Sequence, residues 1–167
     1  MTDLEGQTVV VIGGSAGIGL EAARLARVQY AEAILTRRNP DRLRDAADEF
    51  GAAARPPSTP TTCPAWSGTS PSCLNRSTMS LSPFPGPVSS ALADMDHKEV
   101  RLHVGQRIVS TLAAARHGAA RMRPPGRLLF IGGTGGRQAG VRMSLISAMT
   151  AALPALIASL AIELAQI

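Results

Sequence analysis

The first apolar segment of the chain, residues 9–12, consists of three valines and an isoleucine with no polar residue among them. An uninterrupted β-branched run is typical of a parallel strand that is covered on both faces. Apolar residues then recur at helical spacing over residues 16–30, and a second apolar run at residues 33–36 predicts another strand. Pro40 marks the start of a further helix over residues 41–50.

The alternation of strand and helix returns in the second half of the chain. A long helix is predicted over residues 94–122, with a bend at Gly105 or an end near His117. A strand over residues 127–131 then leads into a second glycine turn, and residues 144–167 form an almost wholly apolar helix. The long helix is predicted from apolar residues at every fourth position, namely Val100, Val104, Ile108 and Leu112. Such alternation predicts an α/β fold with a parallel sheet and right-handed crossovers.

The segment at residues 56–92 breaks this pattern. Eight of the chain's twelve prolines lie there, together with nine serines and five threonines, and no acidic residue occurs from Gly51 to Ala93. Because proline cannot donate a hydrogen bond to a sheet ladder, we expect no internal strand within residues 56–87. A disordered insertion is one interpretation. The chain is expected to be a single domain, 1–167, in which residues 51–93 form an irregular Pro/Ser/Thr-rich segment.

Charge and cysteine content exclude several classes of function. The net charge of +5 comes from seventeen basic residues, and all but Lys98 are arginines spread along the chain. Nucleic-acid-binding proteins usually cluster basic residues among aromatic ones, which make up only 3% here, so we predict no nucleic-acid partner. The first six residues carry acid where a signal peptide carries base, which predicts a cytoplasmic protein. Cys63 and Cys73 have no histidine near them and are interpreted as free thiols, so no metal site is predicted.

A glycine-rich turn follows the first strand and opens the first helix. Glycines let the backbone turn tightly and approach a ligand closely, and the amino end of the helix faces that ligand. A strand, a glycine turn and a helix in this order are typical of a dinucleotide site. The residues predicted to bind the cofactor there are Gly13, Gly14, Ser15, Gly17, Ile18 and Gly19.

Two further cofactor residues, Arg37 and Arg38, follow the second predicted strand. A site for NAD carries an acid at this place, which binds the ribose hydroxyls, but no acid occurs here until Asp41. A pair of guanidinium groups can bind the 2′-phosphate of NADP through charge-assisted hydrogen bonds. NADP is therefore predicted in preference to NAD, with a solvated turn as the alternative interpretation of the two arginines.

The first glycine turn resembles the T-G-x-x-x-G-x-G turn of short-chain dehydrogenases/reductases, with Ile12 and Gly13 in place of the usual Thr-Gly start. Residues 127–136 resemble the fifth strand and the following loop of that family. Residues 159–165 resemble the end of the helix that follows its active-site tyrosine. The resemblance implies a Rossmann-like doubly wound parallel sheet.

The resemblance also implies a catalytic set, which this chain lacks. In the family a tyrosine is the general acid/base, a lysine lowers the pKa of that tyrosine, and a serine positions the carbonyl of the substrate. The family's spacing assigns these three roles to Ile146, Thr150 and Gly133. The only tyrosine, Tyr30, and the only lysine, Lys98, lie in other elements. The catalytic residues are therefore unassigned.

The implied sheet is incomplete. The family's third and fourth strands would fall within residues 51–93, where no strand pattern is found, so the first and fifth strands would lack the partner that lies between them. The chain also ends at Ile167, before the family's sixth and seventh strands. These gaps motivate the hypothesis of a truncated product whose middle segment is read in the wrong frame.

Two functions agree with these observations. One is an NAD(P)-dependent oxidoreductase of the short-chain type, with NADP favoured, which acts on a small-molecule carbonyl or alcohol and is catalytically impaired. The alternative is a non-catalytic dinucleotide-binding or subunit-association protein. The last helix predicts a homo-oligomer, because a two-layer monomer buries little of its apolar surface. We predict no membrane partner, although the length and apolarity of this helix would permit a membrane span.

Overall fold

The computed structural model describes residues 4–14, 16–36, 40–49, 51, 53–55, 77–81, 89–120, 122 and 126–165. Strands and helices alternate along the chain. The strands are β1 (Thr8–Ile12), β2 (Glu32–Thr36), β3 (Ala53–Arg55), β4 (Ser77–Leu81) and β5 (Arg127–Phe130). The helices are α1 (Gly17–Val28), α2 (Pro40–Asp48), α3 (His97–Val104), α4 (Ser110–Ala119) and α5 (Ser144–Glu163).

The five strands form one parallel sheet in the order β3-β2-β1-β4-β5. β1 is central, and its residue Val10 pairs with Ile34 of β2 on one side and with Met79 of β4 on the other. Because the strands are parallel, their carboxyl ends meet at one edge of the sheet. Ligands of open parallel sheets bind at this edge where the strand order reverses, which here lies between β1 and β4.

The sheet is covered on both faces, as the doubly wound prediction requires. Alternate residues of a strand point to opposite faces, so the four apolar residues of β1 serve both layers. One core contains Val9, Val11, Ala33 and Leu35 with Ala23 and Ala26 of α1 and Leu43, Ala46 and Ala47 of α2. The other contains Val10 and Ile34 with Ala114 of α4, and Ile12, Leu128 and Phe130 pack against it. These two cores confirm the α/β, doubly wound architecture.

The expectation that residues 56–87 contain no internal strand is wrong. β4 lies between β1 and β5 and pairs with both, from Thr8 beside Ser77 to Leu81 beside Phe130. The rule against proline applies residue by residue, and the five residues of β4 contain none. A five-residue strand is of ordinary length, so a proline-rich segment can still supply one. The expectation that the first and fifth strands lack a partner between them is therefore wrong as well, and the wrong-frame hypothesis stays a hypothesis.

The chain from His97 to Ala119 is helical, but it is not a regular α-helix. A π-helical turn over Gly105–Val109 separates α3 from α4. The sequence predicted a bend at Gly105, and this turn is the irregularity found there. An inserted π turn changes which side chains face the sheet. Val104 and Leu112 of the apolar pattern are 40% and 43% exposed, whereas Arg107 and Thr111 are buried.

The last helix, α5, is packed along one side only. It continues through Pro154, and its buried residues are Met149, Thr150 and Leu153. By length and composition α5 could cross a membrane, although only 17% of its 18-residue apolar window is buried within the structure. Core helices of soluble proteins pass the same test of length and composition, so this finding is weak evidence for a membrane span.

The central position of β4 predicts that a proline within it is destabilising. Met79→Pro removes a ladder hydrogen bond and leaves a neighbouring carbonyl without its donor, so we expect the free energy of unfolding to fall by about 2–4 kcal/mol. Urea unfolding followed by circular dichroism measures the change. Ser89→Pro is the matched control, because Ser89 is exposed and lies outside the helices and strands, and we expect a change below about 0.5 kcal/mol. Equal losses in both variants would contradict the pairing of β4.

Candidate functional site

The turn after β1 is closed by backbone contacts. Gly13 has φ of 84°, a conformation that residues with a Cβ atom rarely adopt. Its N–H donates a hydrogen bond to the carbonyl of Thr36 at 2.8 Å, which ties the turn to the end of β2. Gly14 is buried, and a Cβ atom there would lie 2.7 Å from Leu35 Cδ2. The two positions therefore require glycine for different reasons, one conformational and one steric.

Helix α1 begins against this turn. Gly17 opens it with φ of 56°, and a Cβ atom on Gly19 would lie only 2.8 Å from the carbonyl oxygen of Gly13. Ala16, which precedes the helix, has no capping side chain, and the first turn contains no acidic residue. Backbone amides at such a helix end, together with the positive end of the helix dipole, favour an anionic ligand. Ile18 is 67% exposed at the same end.

Three of the residues predicted to bind the cofactor, Ser15, Arg37 and Arg38, lie outside the described residues. The strand pairing next to these residues is described by the structure. Ile12 pairs with Thr36, so the glycine turn and the segment after β2 leave the sheet next to each other. The role of the two arginines in choosing NADP stays a prediction.

The loop after β5 lies against α5. A Cβ atom on Gly136 would be 2.6 Å from the backbone nitrogen of Ala151, so the two backbones are in close contact. A Cβ atom on Gly133 would lie 3.7 Å from Thr150 Cγ2, an ordinary packing distance. Ile146 stands one helical turn before Thr150. The structure thus brings together the three positions that the family resemblance assigns to its catalytic set.

The residues at these positions offer no general base. The hydroxyl of Thr150 donates a hydrogen bond to the carbonyl of Ile146 at 2.7 Å, so it is engaged within α5. Tyr30 is 75% exposed and precedes β2, at the opposite edge of the sheet, and Lys98 is exposed in the first turn of α3. Across the part of the chain that the structure describes, no group of three or more His, Cys, Asp or Glu side chains could hold a metal ion.

A buried cation near these positions was missed by the sequence analysis. Arg107, in the π-helical turn, is 2% exposed, and its Nη2 donates a hydrogen bond to the carbonyl of Ile131 at 3.1 Å. Ile131 directly follows β5, so Arg107 lies beside the start of the second glycine loop. Burial lowers the pKa of the Arg107 guanidinium from its ordinary value, but an arginine stays charged at neutral pH. The one sequence feature that points to Arg107 is its helical spacing from Thr111. The two residues are four positions apart, so they lie on one face of the helix, and both are buried.

Two buried polar atoms lie on segments that pack together. α5 contacts the π-helical turn, which carries Gln106. Gln106 Oε1 and Ser147 Oγ are buried without a hydrogen-bond partner among the described residues. A polar atom buried in this way costs about 1–3 kcal/mol. A water molecule or a polar group of a ligand would therefore be stabilised at either atom.

Comparison with solved structures identifies the fold. A short-chain dehydrogenase from Mycobacterium smegmatis superposes with a TM-score of 0.87 at 20% identity, over 99% of this chain and 74% of that one. A short-chain dehydrogenase from Burkholderia cenocepacia, in complex with NADP, gives 0.83 at 20% identity, over 98% and 71%. A protein described as a short-chain dehydrogenase/reductase family protein gives 0.78 at 24% identity, over 98% and 71%.

No family model and no curated protein matches the sequence. The likeness to the solved structures covers nearly the whole chain, and at these identities it establishes the fold. The chain has the Rossmann-like fold of short-chain dehydrogenases/reductases and spans 74% of the length of the Mycobacterium smegmatis protein. The resemblance inferred from the glycine turn is therefore confirmed at the level of the fold.

The contact between Gly19 and the carbonyl of Gly13 predicts that Gly19→Ala is destabilising, although alanine has the higher helix propensity. The added methyl group must move α1 away from the turn, so we expect a loss of about 1–3 kcal/mol in the free energy of unfolding. Gly105→Ala is the control, because no atom lies within 4 Å of a Cβ atom there, and a gain of up to about 1 kcal/mol is expected. Urea unfolding measures both changes, and a gain for Gly19→Ala would contradict the close contact.

Proposed function

We propose that this chain is an oxidoreductase of the short-chain dehydrogenase/reductase type that binds NADP at its glycine turn and has impaired turnover. The observation that carries the proposal is the close approach of α1 to that turn, where a side chain at Gly14 or Gly19 would clash. NADPH, when bound, supplies a hydride to the carbonyl group of a small-molecule substrate, or NADP⁺ accepts one from an alcohol.

The turn fits the pyrophosphate of a dinucleotide. Such a group needs backbone amides that it can approach closely and surroundings without negative charge. Gly13 is partly exposed and Gly17 is exposed, so backbone without a side chain is accessible there, and the first turn of α1 carries no acid. The turn also lies at the point between β1 and β4 where the strand order reverses, which is where open parallel sheets bind ligands.

The preference for NADP is supported by the chain order at the end of β2. Arg37 and Arg38 directly follow Thr36, the last residue of that strand. Thr36 accepts the hydrogen bond from Gly13, so the segment after β2 starts beside the turn. Guanidinium groups bind phosphate through paired, charge-assisted hydrogen bonds. NAD, which lacks the 2′-phosphate, would gain nothing from them.

The proposed impairment follows from the residues beside the second glycine loop. A proton must be given to the carbonyl oxygen when a ketone is reduced, and a positioned acid/base contributes about 10²–10⁴-fold to such a step. Ile146 has no proton to give, and the hydroxyl of Thr150 is bonded to the backbone of α5. Because this bond engages the hydroxyl of Thr150 within the helix, it favours the second candidate function, a non-catalytic dinucleotide-binding or subunit-association protein.

The remaining parts of the proposal concern substrate and setting. The buried, unpartnered atoms Gln106 Oε1 and Ser147 Oγ support a polar group of a small molecule near α5. A cytoplasmic location and the lack of a nucleic-acid partner are proposed from charge patterning alone. Self-association through α5 is proposed from its exposed apolar surface.

Titration with NADPH and NADH tests the cofactor half of the proposal. We expect NADPH to bind more tightly, and Arg37→Ser with Arg38→Ser to weaken NADPH binding by about 10–100-fold while leaving NADH binding within about threefold. Quenching or transfer of NADPH fluorescence measures both. Arg42→Ser is a matched control for the loss of one nearby charge. Equal losses for both cofactors, or no binding of either, would contradict the proposal.

Rebuilding the catalytic set separates an impaired enzyme from a pure binding protein. In the variant Gly133→Ser/Ile146→Tyr/Thr150→Lys, the serine has room because its Cβ atom meets only ordinary contacts. We expect at least about tenfold faster NADPH-dependent reduction of small ketones than in the matched variant with Ile146→Phe, which lacks only the phenol. Absorbance at the NADPH band follows the reaction. If both variants bind NADPH and reduce the ketones at equal rates, the substrate half of the proposal is wrong.

A further inference from the structure

The second half of the chain contains a long stretch without an acidic residue. Between Glu99 and Glu163 there are eight arginines and neither an aspartate nor a glutamate. This stretch spans the π-helical turn, α4, β5, the loop after β5 and α5 up to its last residue. Glu163 lies about 30 Å along α5 from its first residue, and Asp96 caps the start of α3. The side of the site that these segments form therefore receives positive charge only from its own sequence.

Three of these arginines lie at or beside the loop after β5. Arg107 is buried, and its Nη2 donates a hydrogen bond to the carbonyl of Ile131 at the start of the loop. Arg137 and Arg142 are exposed within the loop itself. The loop leaves the carboxyl end of β5, at the same edge of the sheet as the first glycine turn. β4 lies between β1 and β5, so about 10 Å separates the two strand ends.

Arg142 is an unfavourable residue for its own backbone position. The N–H of Met143 donates a hydrogen bond to the carbonyl of Gly140 at 3.2 Å, so residues 140–143 form a tight turn. Arg142 is third in this turn and has φ of 66°, a conformation for which turns prefer glycine or asparagine. It also precedes α5, whose amino end repels positive charge. Local structure thus disfavours an arginine here for two reasons, and such positions cluster where a ligand is held.

We propose that the carbonyl substrate of this chain carries a carboxylate, which Arg137 and Arg142 bind at the loop after β5 while the buried charge of Arg107 strengthens the attraction. A guanidinium binds a carboxylate through paired, charge-assisted hydrogen bonds. The substrate class is then an oxo acid in the direction of reduction and a hydroxy acid in the direction of oxidation. This inference rests on the proposed function, because it names the class of that substrate. The carboxylate takes no part in the hydride transfer.

The place of these arginines in the fold favours the substrate over the phosphates of the cofactor. The pyrophosphate is proposed at the turn after β1, and the 2′-phosphate at Arg37 and Arg38 after β2. The strand order places β2 and β5 on opposite sides of β1. The loop after β5 instead packs beside Gly133 and Thr150, on the side assigned to the substrate. A negative group held by this loop therefore belongs to the substrate.

Binding of 4-oxopentanoate and of its methyl ester tests the inference, because the two ketones differ mainly in charge. The full chain saturated with NADP⁺ has no hydride to give, so titration followed by saturation-transfer NMR measures binding alone. We expect the acid to bind at least about fivefold more tightly than the ester. Arg137→Gln/Arg142→Gln should reduce this preference to below about twofold and leave ester binding unchanged. Equal binding of acid and ester to the original chain would overturn the inference.

A matched double variant controls for net charge. Arg116→Gln/Arg127→Gln also removes two exposed charges, but these flank the connection from α4 to the start of β5, at the opposite edge of the sheet. It should leave the preference for the acid within about 1.5-fold, because salt and distance screen such charges. Equal losses in the two double variants would overturn the inference.

Arg142→Gly separates binding from folding. We expect it to lower the preference for the acid about twofold and to raise the midpoint of thermal unfolding, because glycine suits φ of 66°. A folded variant that keeps the full preference would overturn the role of Arg142.

Titration with NADP⁺, and of both ketones without cofactor, keeps this inference apart from the proposed function. A preference for the acid in a chain that does not bind NADP⁺ would contradict the proposed function and leave the carboxylate site standing. Binding of NADP⁺ with equal affinities for acid and ester would contradict this inference alone. A loss of at least about tenfold in NADP⁺ affinity in Arg137→Gln/Arg142→Gln would assign the two arginines to the cofactor and also overturn it.

Discussion

Helix α1 can lie against the end of β1 because position 19 has no side chain. The carbonyl of Gly13 occupies the place that a Cβ atom of Gly19 would need, and the N–H of Gly13 is held by Thr36 of β2. One turn thus fixes the first helix, the central strand and its neighbour relative to each other. The α1 and α2 layer then packs on Val11 and Leu35, which are fully buried.

The loop after β5 and α5 bring together the three positions of the family's catalytic set, but the residues at those positions have different chemistry. Gly133, Ile146 and Thr150 lie together as the fold requires, yet the buried charge near them is Arg107, on the opposite helix. A guanidinium stays charged across the pH range in which enzymes work, so it can stabilise negative charge but cannot exchange a proton. Its hydrogen bond to Ile131 also connects the π-helical turn to the loop after β5. Arg107 therefore holds the loop after β5 in position, whereas proton transfer needs a group that Ile146 and Thr150 do not supply.

Features that depend on local pattern were predictable from the sequence, and features that depend on tertiary contacts were not. The β-branched run of β1 and the glycines after it predicted the strand, the turn and the fold. β4 could not be found, because a polar pentapeptide between prolines becomes a strand only when β1 and β5 pair with it on both sides. Arg107 was hidden by the regular spacing of Val104 and Leu112, since the π-helical turn moves the buried face away from that pattern.

Two of the positions that the resemblance assigns to the catalytic set, Ile146 and Thr150, lie on α5, the helix whose outer face is exposed. A lysine at position 150 would place a cation in the middle of α5 and would need a partner in the site. With threonine there, α5 carries no charge from residue 143 to residue 162, and the hydroxyls of Thr150 and Ser159 donate hydrogen bonds to preceding carbonyls of the helix. The orientation of such a helix is then set by packing on its inner face and by the charges at its two ends. Arg142 and Glu163 each lie at the end of α5 whose dipole opposes their charge, which costs about 0.3–1 kcal/mol at an exposed position.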